Sequence, residues 1–249
     1  GELMMTRWAQ RRYNRPLTIY GPTGVAKVVA GFEMAYGLDS IYRTAHHGDD
    51  IMPPELSKAE VKEFNSMKPR GLAMFDQATV QGVKVYDHEG LAVEAFTVDH
   101  SPVEPAVAYR VSYRGRVLVI SGDTTQSQAV IQASEGADVL IHEALHPGLV
   151  KRLEDIAREN DRPRLAKILY DIPDYHTSPV QAAEVAKAAG VKALVYSHVV
   201  PPLPLPPLAS IFLEGTEEAF DGTIRLGEDG DWISLPAHSE EVRFETRYQ

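Results

Sequence analysis

The chain of 249 residues carries nine histidines and no cysteine. Four of the histidines, with one aspartate, stand where a predicted strand ends or a helix begins. His100 closes the strand ending Thr97-Val98-Asp99, and Asp123 follows Val119-Ile120-Ser121-Gly122. His142 follows Val139-Leu140-Ile141, His198 follows Leu194-Val195-Tyr196-Ser197, and His176 stands before the helix start Thr177-Ser178-Pro179. Functional groups in layered α/β folds gather at strand ends, where side chains converge over an open edge. Imidazole and carboxylate together suit Zn2+ and related borderline ions, so the chemistry on offer is metal-assisted. The missing cysteine excludes disulfides, thiolate nucleophiles and cysteine-based zinc sites. Each position also has a structural alternative when taken singly. A strand-end histidine is more often a hydrogen-bonded structural residue than a ligand. Asp123 can cap a helix through its carboxylate, and His176 with Thr177-Ser178-Pro179 makes a capping arrangement too.

The elements that must position these groups are legible in outline. Gly1–Arg12 reads as a helix, Leu17–Tyr20 as a short strand ending at Gly21-Pro22-Thr23-Gly24, and Val25–Tyr36 as the helix that follows. A helix is expected over Lys58–Phe64. Val80–Tyr86, Leu91–Val98, Ala106–Tyr113 and Val117–Ile120 form an antiparallel meander. The second half alternates differently: helix Ser127–Ser134, strand Asp138–Ile141, a charged helical stretch Leu149–Leu169, helix Pro179–Ala189 and buried strand Ala193–Tyr196. A helix Pro207–Phe220 and a hairpin of Thr223–Leu226 with Trp232–Leu235 complete it. A meander followed by strand–helix alternation predicts an α/β protein with helices outside a sheet core. Neither a linker nor a repeat interrupts it, so residues 1–249 are expected to form one domain. Pro201–Pro207 reads as a stiff loop leaving a strand, with a polyproline ligand as the alternative.

Composition sets outer limits. With 44% hydrophobic and 24% charged residues the chain can bury a substantial core, and it is too short for three domains. No run approaches the ~18 apolar residues of a membrane span. Lys and Arg number 25 against 35 Asp and Glu, a net charge of -10. Bulk electrostatic capture of nucleic acid wants the opposite sign.

The motifs, taken in order, resemble the metallo-β-lactamase superfamily in its ribonuclease Z and arylsulfatase-like branch. The matching pieces are Val98-Asp99-His100, Ser121-Gly122-Asp123-Thr124, Leu140-Ile141-His142-Glu143-Ala144, His176-Thr177-Ser178 followed by Ala182–Ala186, and Ser197-His198. Gly21-Pro22-Thr23-Gly24 matches a loop that this branch carries early in the chain. The likeness is weakest from Asp49 to Phe75 and after Ala237. It implies an αββα sandwich with two Zn2+ at one edge, Mn2+ or Fe being alternatives. His100 would bind the first metal, His198 the second, and Asp123 would bridge them. A hydroxide between metals roughly 3.5–4 Å apart would attack a phosphorus, sulfur or carbonyl centre. His176 would act as acid at the leaving group or hold the developing charge. Glu143 would orient a histidine from behind, and His142 is expected to be structural.

One departure matters. The family's leading signature, His-x-His-x-Asp-His, is absent from these residues. His46-His47-Gly48-Asp49-Asp50 has the wrong spacing and follows the Gly21–Gly24 loop instead of preceding it. The expectation is therefore that the signature lies upstream of Gly1 and that the chain lacks the first strands of the sandwich. Alone it should bind metal poorly and be inactive. Ribonuclease Z proper, in common bacterial forms, carries a long arm between the His100-type and Asp123-type motifs. Here two strands and a Tyr113-Arg114-Gly115-Arg116 turn fill that connection. The expected function is thus a dinuclear metallohydrolase of small sulfate or phosphate esters, acting on an anionic substrate as a homodimer with no membrane partner. The first alternative is a tRNA 3′-processing endoribonuclease, which would make nucleic acid the partner. The second is a non-catalytic scaffold of the same fold. The compartment, cytoplasmic or periplasmic, stays open.

Overall fold

The computed structural model describes residues 1–10, 13–65 and 82–246. The chain divides into two compact units, Gly1–Ser66 and Met67–Gln249. In the first, helix α1 (Glu2–Gln10) buries Met4 and Trp8, four residues apart on one face. The Trp8 indole N–H donates to the Pro53 carbonyl at 2.9 Å, and the ring packs with Met52 and Leu56. Arg11 and Arg12, which the expected helix includes, lie outside the described residues. Strand β1 (Leu17–Pro22) leads into helix α2 (Val25–Ala35), and α3 (Gly37–His47) follows.

The helix expected over Lys58–Phe64 is instead a strand, β2 (Ala59–Phe64), parallel to β1. Glu and Lys favour a helix in isolation. Here Ala59 and Val61 alternate with exposed Glu60 and Lys62, and pairing with β1 overrides propensity. The strand also brings the Glu63 carboxylate to the start of α2, where it accepts the N–H groups of Gly24 and Ala26 at 3.0 and 3.2 Å. A negative group at a helix N-terminus is favourable, which explains an acidic residue on a strand edge.

The second unit is built on a sheet. Strands β3 (Val83–His88), β4 (Leu91–Thr97), β5 (Val107–Tyr113) and β6 (Arg116–Ile120) form the expected antiparallel meander. Val80 and Gln81, the start of the expected first strand, lie outside the described residues. Helix α4 (Gln128–Ser134), capped by the Ser127 side chain, leads to β7 (Val139–Leu145). Helices α5 (Pro147–Glu159), α6 (Pro163–Asp171) and α7 (Pro179–Ala189) precede β8 (Ala193–Val200). Short helices α8 (Pro206–Phe212) and α9 (Thr216–Ala219) precede β9 (Thr223–Leu226). Among the described residues the strand order is β3-β4-β5-β6-β7-β8-β9, with β6 to β9 mutually parallel. Since β4 and β6 both run antiparallel to β5, the C-terminal ends of β4, β6, β7 and β8 share one edge.

Two expectations are corrected. The helix Pro207–Phe220 is broken, because Gly215 takes φ 79 between α8 and α9, a left-handed backbone that favours glycine. Thr223–Leu226 and Trp232–Leu235 do not pair as a hairpin. β9 joins β8, while β10 (Asp231–Ser234) pairs antiparallel with β11 (Arg243–Thr246). Ile233 and Phe244 of that ribbon pack on Val139, Ala193 and Val195. On the opposite face Leu140, Leu194 and Tyr196 meet Val130 and Ala133 of α4 and Ala182, Ala183 and Ala186 of α7. Burial on both faces is why β7 and β8 open on apolar runs, Val139–Ile141 and Ala193–Tyr196. No helix among the described residues is long and apolar enough to cross a membrane.

One buried ion pair ties the C-terminal segment to the sheet. Arg116 donates through Nε to Asp138 at 2.9 Å, and through Nη1 to the Pro236 and Glu241 carbonyls at 2.8 and 3.0 Å. Asp138 also accepts from the Val117 N–H and from Lys192. Burial pushes the Asp138 carboxyl up, but the bonds from Arg116, Lys192 and Val117 outweigh it and bring it down to about 2 from 3.8. A carboxyl depressed in the folded state adds stability above its unfolded pKa and loses it as pH falls through the folded one. Unfolding by urea should therefore become easier by about 2 kcal/mol between about pH 4 and pH 2 through this group. Asp138→Asn should remove that part of the pH dependence while lowering stability at neutral pH.

Candidate active site

The edge shared by β4, β6, β7 and β8 collects the histidines. The turn after β6, Ser121-Gly122-Asp123-Thr124, depends on Gly122, which has φ 61. A Cβ there would stand 2.6 Å from the Val107 carbonyl oxygen. Only glycine fits, and the turn swings Asp123 outward while Thr124 stays fully buried. Asp123 is not a helix cap, since Ser127 caps α4. Nor does His176 cap α7, because Ser178 and Gln181 form a reciprocal capping box there. The two structural alternatives for these side chains therefore fall away.

Glu143 lies at the centre. Its side chain is 1% exposed. Its Oε1 accepts from the Thr124 N–H at 3.1 Å, the Thr177 N–H at 3.2 Å and His176 Nδ1 at 3.0 Å. A carboxylate only accepts here, so His176 carries its hydrogen on Nδ1 and keeps Nε2 open. Oε2 of Glu143 is buried with no hydrogen-bond partner. The surrounding backbone is laced together as well. Thr177 Oγ1 donates to the Thr124 carbonyl at 2.6 Å, the Leu145 N–H to the Thr177 carbonyl at 2.8 Å, and the Thr125 N–H to the Asp99 carbonyl at 2.8 Å.

His198 sits on a bulge. Glu143 is paired with Ser197 and Ala144 with Val199, so His198 is the extra residue of β8 and takes φ 45. A non-glycine residue in that region costs on the order of 1–3 kcal/mol, and bulges re-aim side chains beside functional sites. His198 and Asp123 are 51% and 41% exposed, with Nδ1 and Oδ1 3.4 Å apart. His176 links the group together: its ring centroid lies 5.6 Å from that of His198 and 5.1 Å from that of His100. His100 donates from Nδ1 to the Tyr175 carbonyl at 2.8 Å, which leaves Nε2 as its open ligand atom.

The structure thus gathers His100, Asp123, Glu143, His176 and His198 at one edge. Among the described residues, the group of three whose potential ligand atoms all lie within 4.8 Å of one another is Glu143, His176 and His198, with Asp123 reaching His198 from the side. The histidines outside this group have other roles. His142 is fully buried, and burial pushes its imidazole down. His146 caps α5, its Nδ1 accepting the Leu149 N–H at 3.1 Å. His88 is exposed at the β3–β4 turn, and His46 and His47 end α3. Arg110 donates to the Ala133 and Glu135 carbonyls at the end of α4. Sequence reasoning missed the Thr124 and Thr177 N–H groups and the Tyr175 carbonyl, since backbone partners leave no mark on residue type.

No protein-family model matches the chain. A ribonuclease Z of Mycobacterium sp. (strain KMS) is 33% identical over 230 residues, covering 92% of this chain and 70% of that protein. The chain belongs to the ribonuclease Z family. The ribonuclease Z of Mycobacterium tuberculosis (strain ATCC 25618 / H37Rv) is likewise 33% identical over 232 residues, covering 92% of this chain and 73% of its own. Among solved structures, the metallo-β-lactamase fold protein YhfI from Bacillus subtilis matches with a TM-score of 0.51 at 16% identity, over 92% of this chain and 68% of that one. The α/β class and metallo-β-lactamase fold expected from the motifs therefore hold, and membership of the ribonuclease Z family makes the chain one of a group of hydrolases.

The network around Glu143 fixes a prediction. Glu143→Ala leaves two buried N–H groups and His176 Nδ1 without an acceptor. It should lower the unfolding free energy by about 2–4 kcal/mol, read from urea denaturation. His176→Ala, which removes one of the three donors, should cost about 1 kcal/mol in the same measurement.

Proposed function

We propose that this member of the ribonuclease Z family is a metal-dependent endoribonuclease that hydrolyses a phosphodiester at the 3′ side of precursor tRNA. The observation that carries the reading is the Glu143–His176 pair set beside His198 and Asp123, in a chain whose ribonuclease Z relatives match over 92% of its length. The reading first favoured from the sequence, a hydrolase of small sulfate or phosphate esters, becomes the second. It rests on the short connection between His100 and Asp123 and on the net negative charge, against a ribonuclease Z similarity that covers 92% of the chain. The scaffold reading has no observation of its own in its favour.

The donor set fits a divalent ion: three imidazoles and a carboxylate converge, with His100 already turned by the Tyr175 carbonyl to offer Nε2. His100, Asp123 and His198 would hold it, with Zn2+ as first choice, Mn2+ or Fe as alternatives, and two ions as the full complement. When bound, the metal supplies Lewis-acid stabilisation of phosphoryl oxygens and lowers the pKa of water. The chain's own residues do the rest. Water oxygen forms the new bond to phosphorus while the bond from phosphorus to the leaving oxygen breaks. His176 takes up at its open Nε2 the proton that the attacking water loses and passes it to the leaving oxygen, and Glu143, bonded to Nδ1, stabilises the ring while it is charged. Glu143 is itself held by Thr124 and Thr177, so the ring cannot swing away. That both units serve a single domain over residues 1–249, and that two copies associate, belong to the same proposal.

The test is cleavage of a precursor tRNA carrying a 3′ trailer by the full-length protein with Zn2+ or Mn2+, beside an aryl sulfate and an aryl phosphodiester. Cleavage of the RNA, lost with a chelator, is the expected result. Turnover of the aryl esters alone would move the reading to small esters. Asp123→Ala should abolish cleavage and leave stability within about 0.5 kcal/mol, since the side chain is exposed. Unchanged turnover in that variant would remove Asp123 from the site.

A further inference from the structure

One buried histidine has no part in this chemistry. His142 is fully buried in β7. Leu140 and Ala144, two residues before and after it, lie in the main core, so strand alternation puts His142 on the same apolar face. Its Nδ1 donates to the carbonyl of Glu143 at 2.7 Å, while its Nε2 is buried with no hydrogen-bond partner. An open buried acceptor costs about 1–3 kcal/mol, which a leucine would not incur. Packing alone therefore disfavours histidine here, and what sets it apart from leucine is the donor at Nδ1.

That donor acts at a particular place. The carbonyl it holds belongs to Glu143, where the β7–β8 register shifts and His198 enters as the extra residue with φ 45. The same residue's side chain carries the Thr124, Thr177 and His176 bonds. We propose that His142 is a positioning residue whose Nδ1–H fixes the Glu143 peptide at the register shift, and so sets both the carboxylate behind His176 and the bulge that presents His198. The proposal rests on the reading of His176 and His198 as site residues, but its test does not depend on turnover.

Two substitutions in the full-length protein separate positioning from packing. His142→Leu removes the donor and the open acceptor together; His142→Asn keeps a donor close to Nδ1 in a smaller side chain. If His142 positions the site, the Leu variant melts no lower than the parent. Its His176 nitrogen NMR resonances nevertheless lose the signature of an Nδ1–H bonded to carboxylate, and Co2+, followed by visible absorption, binds about 10–100-fold more weakly. The Asn variant melts lower yet keeps both signals. Parent-like His176 resonances and Co2+ affinity in the Leu variant would overturn the proposal. So would equal loss in both variants, which would make volume and not the donor the cause. Should the Leu variant fail to fold, His142→Phe, a ring without a donor, gives the same comparison. Absence of RNA cleavage in the parent, with the NMR difference intact, would count against the proposed function alone.

Discussion

The second unit is organised around one buried carboxylate oxygen. Oε1 of Glu143 receives hydrogen bonds from two segments far apart in sequence: the turn after β6, through the Thr124 N–H, and the approach to α7, through the Thr177 N–H and the His176 ring. A buried carboxylate is tolerable only when such donors replace its hydration. The three donors are in turn satisfied only if the turn at Gly122, the end of β7 and the start of α7 meet at one point. The carboxylate thus acts as a geometric constraint on the whole C-terminal edge of the sheet. It also fixes which nitrogen of His176 bears the hydrogen, a property that a histidine at an exposed strand end would not have.

The sheet makes this meeting possible. Parallel strands β6, β7 and β8 bring their C-terminal ends to the same edge, and β4 arrives there through the antiparallel meander. Helix α7, whose buried face is mostly alanine, lies close on the sheet and leaves His176 directly before its capping box. The rigid support and the His176 ring are therefore consecutive in the chain. Motion of His176 would require breaking the Ser178–Gln181 cap or the Glu143 bond.

Much of this was legible in the residues. His100, Asp123, Glu143, His176 and His198 were readable from their places at strand and helix ends and from a family resemblance, and they do collect at one edge. The α/β class and most elements of the second unit followed from periodicity and punctuation. The failures share a cause: local propensity lost to partners distant in sequence. Lys58–Phe64 has helix-forming residues but pairs with β1. Trp232 and its neighbours look like the return strand of a hairpin, yet find β11 instead of β9. Within the site, the roles of Thr124 and Thr177 come from their peptide N–H groups, which any residue but proline could supply. The bulge at His198 was hidden for another reason, since a single inserted residue does not disturb the apolar run Ala193–Tyr196 that precedes it.

The distribution of unfavourable features carries the argument from fold to function. Core residues of the sheet such as Val119, Leu140 and Leu194 are completely buried, although irregularities occur elsewhere too, in the β3–β4 register shift between Lys84 and Tyr86 and the left-handed Glu89 and Arg114 at turns. At the edge, within adjacent positions of β7 and β8, are an open acceptor on His142, an open oxygen on Glu143 and a left-handed histidine. Of the three, the His142 acceptor and the left-handed His198 carry a cost to stability that an apolar residue in extended conformation would not incur. Three such features side by side at the convergence of four strand ends suit a site built to hold charge and exchange protons. The core behind it offsets the cost: alanine-faced α7 on one side and the β10–β11 ribbon on the other bury β7 and β8 from both faces. The strained His198 is itself half-exposed, and it follows closely on the strand residues that this packing buries, Ala193–Tyr196.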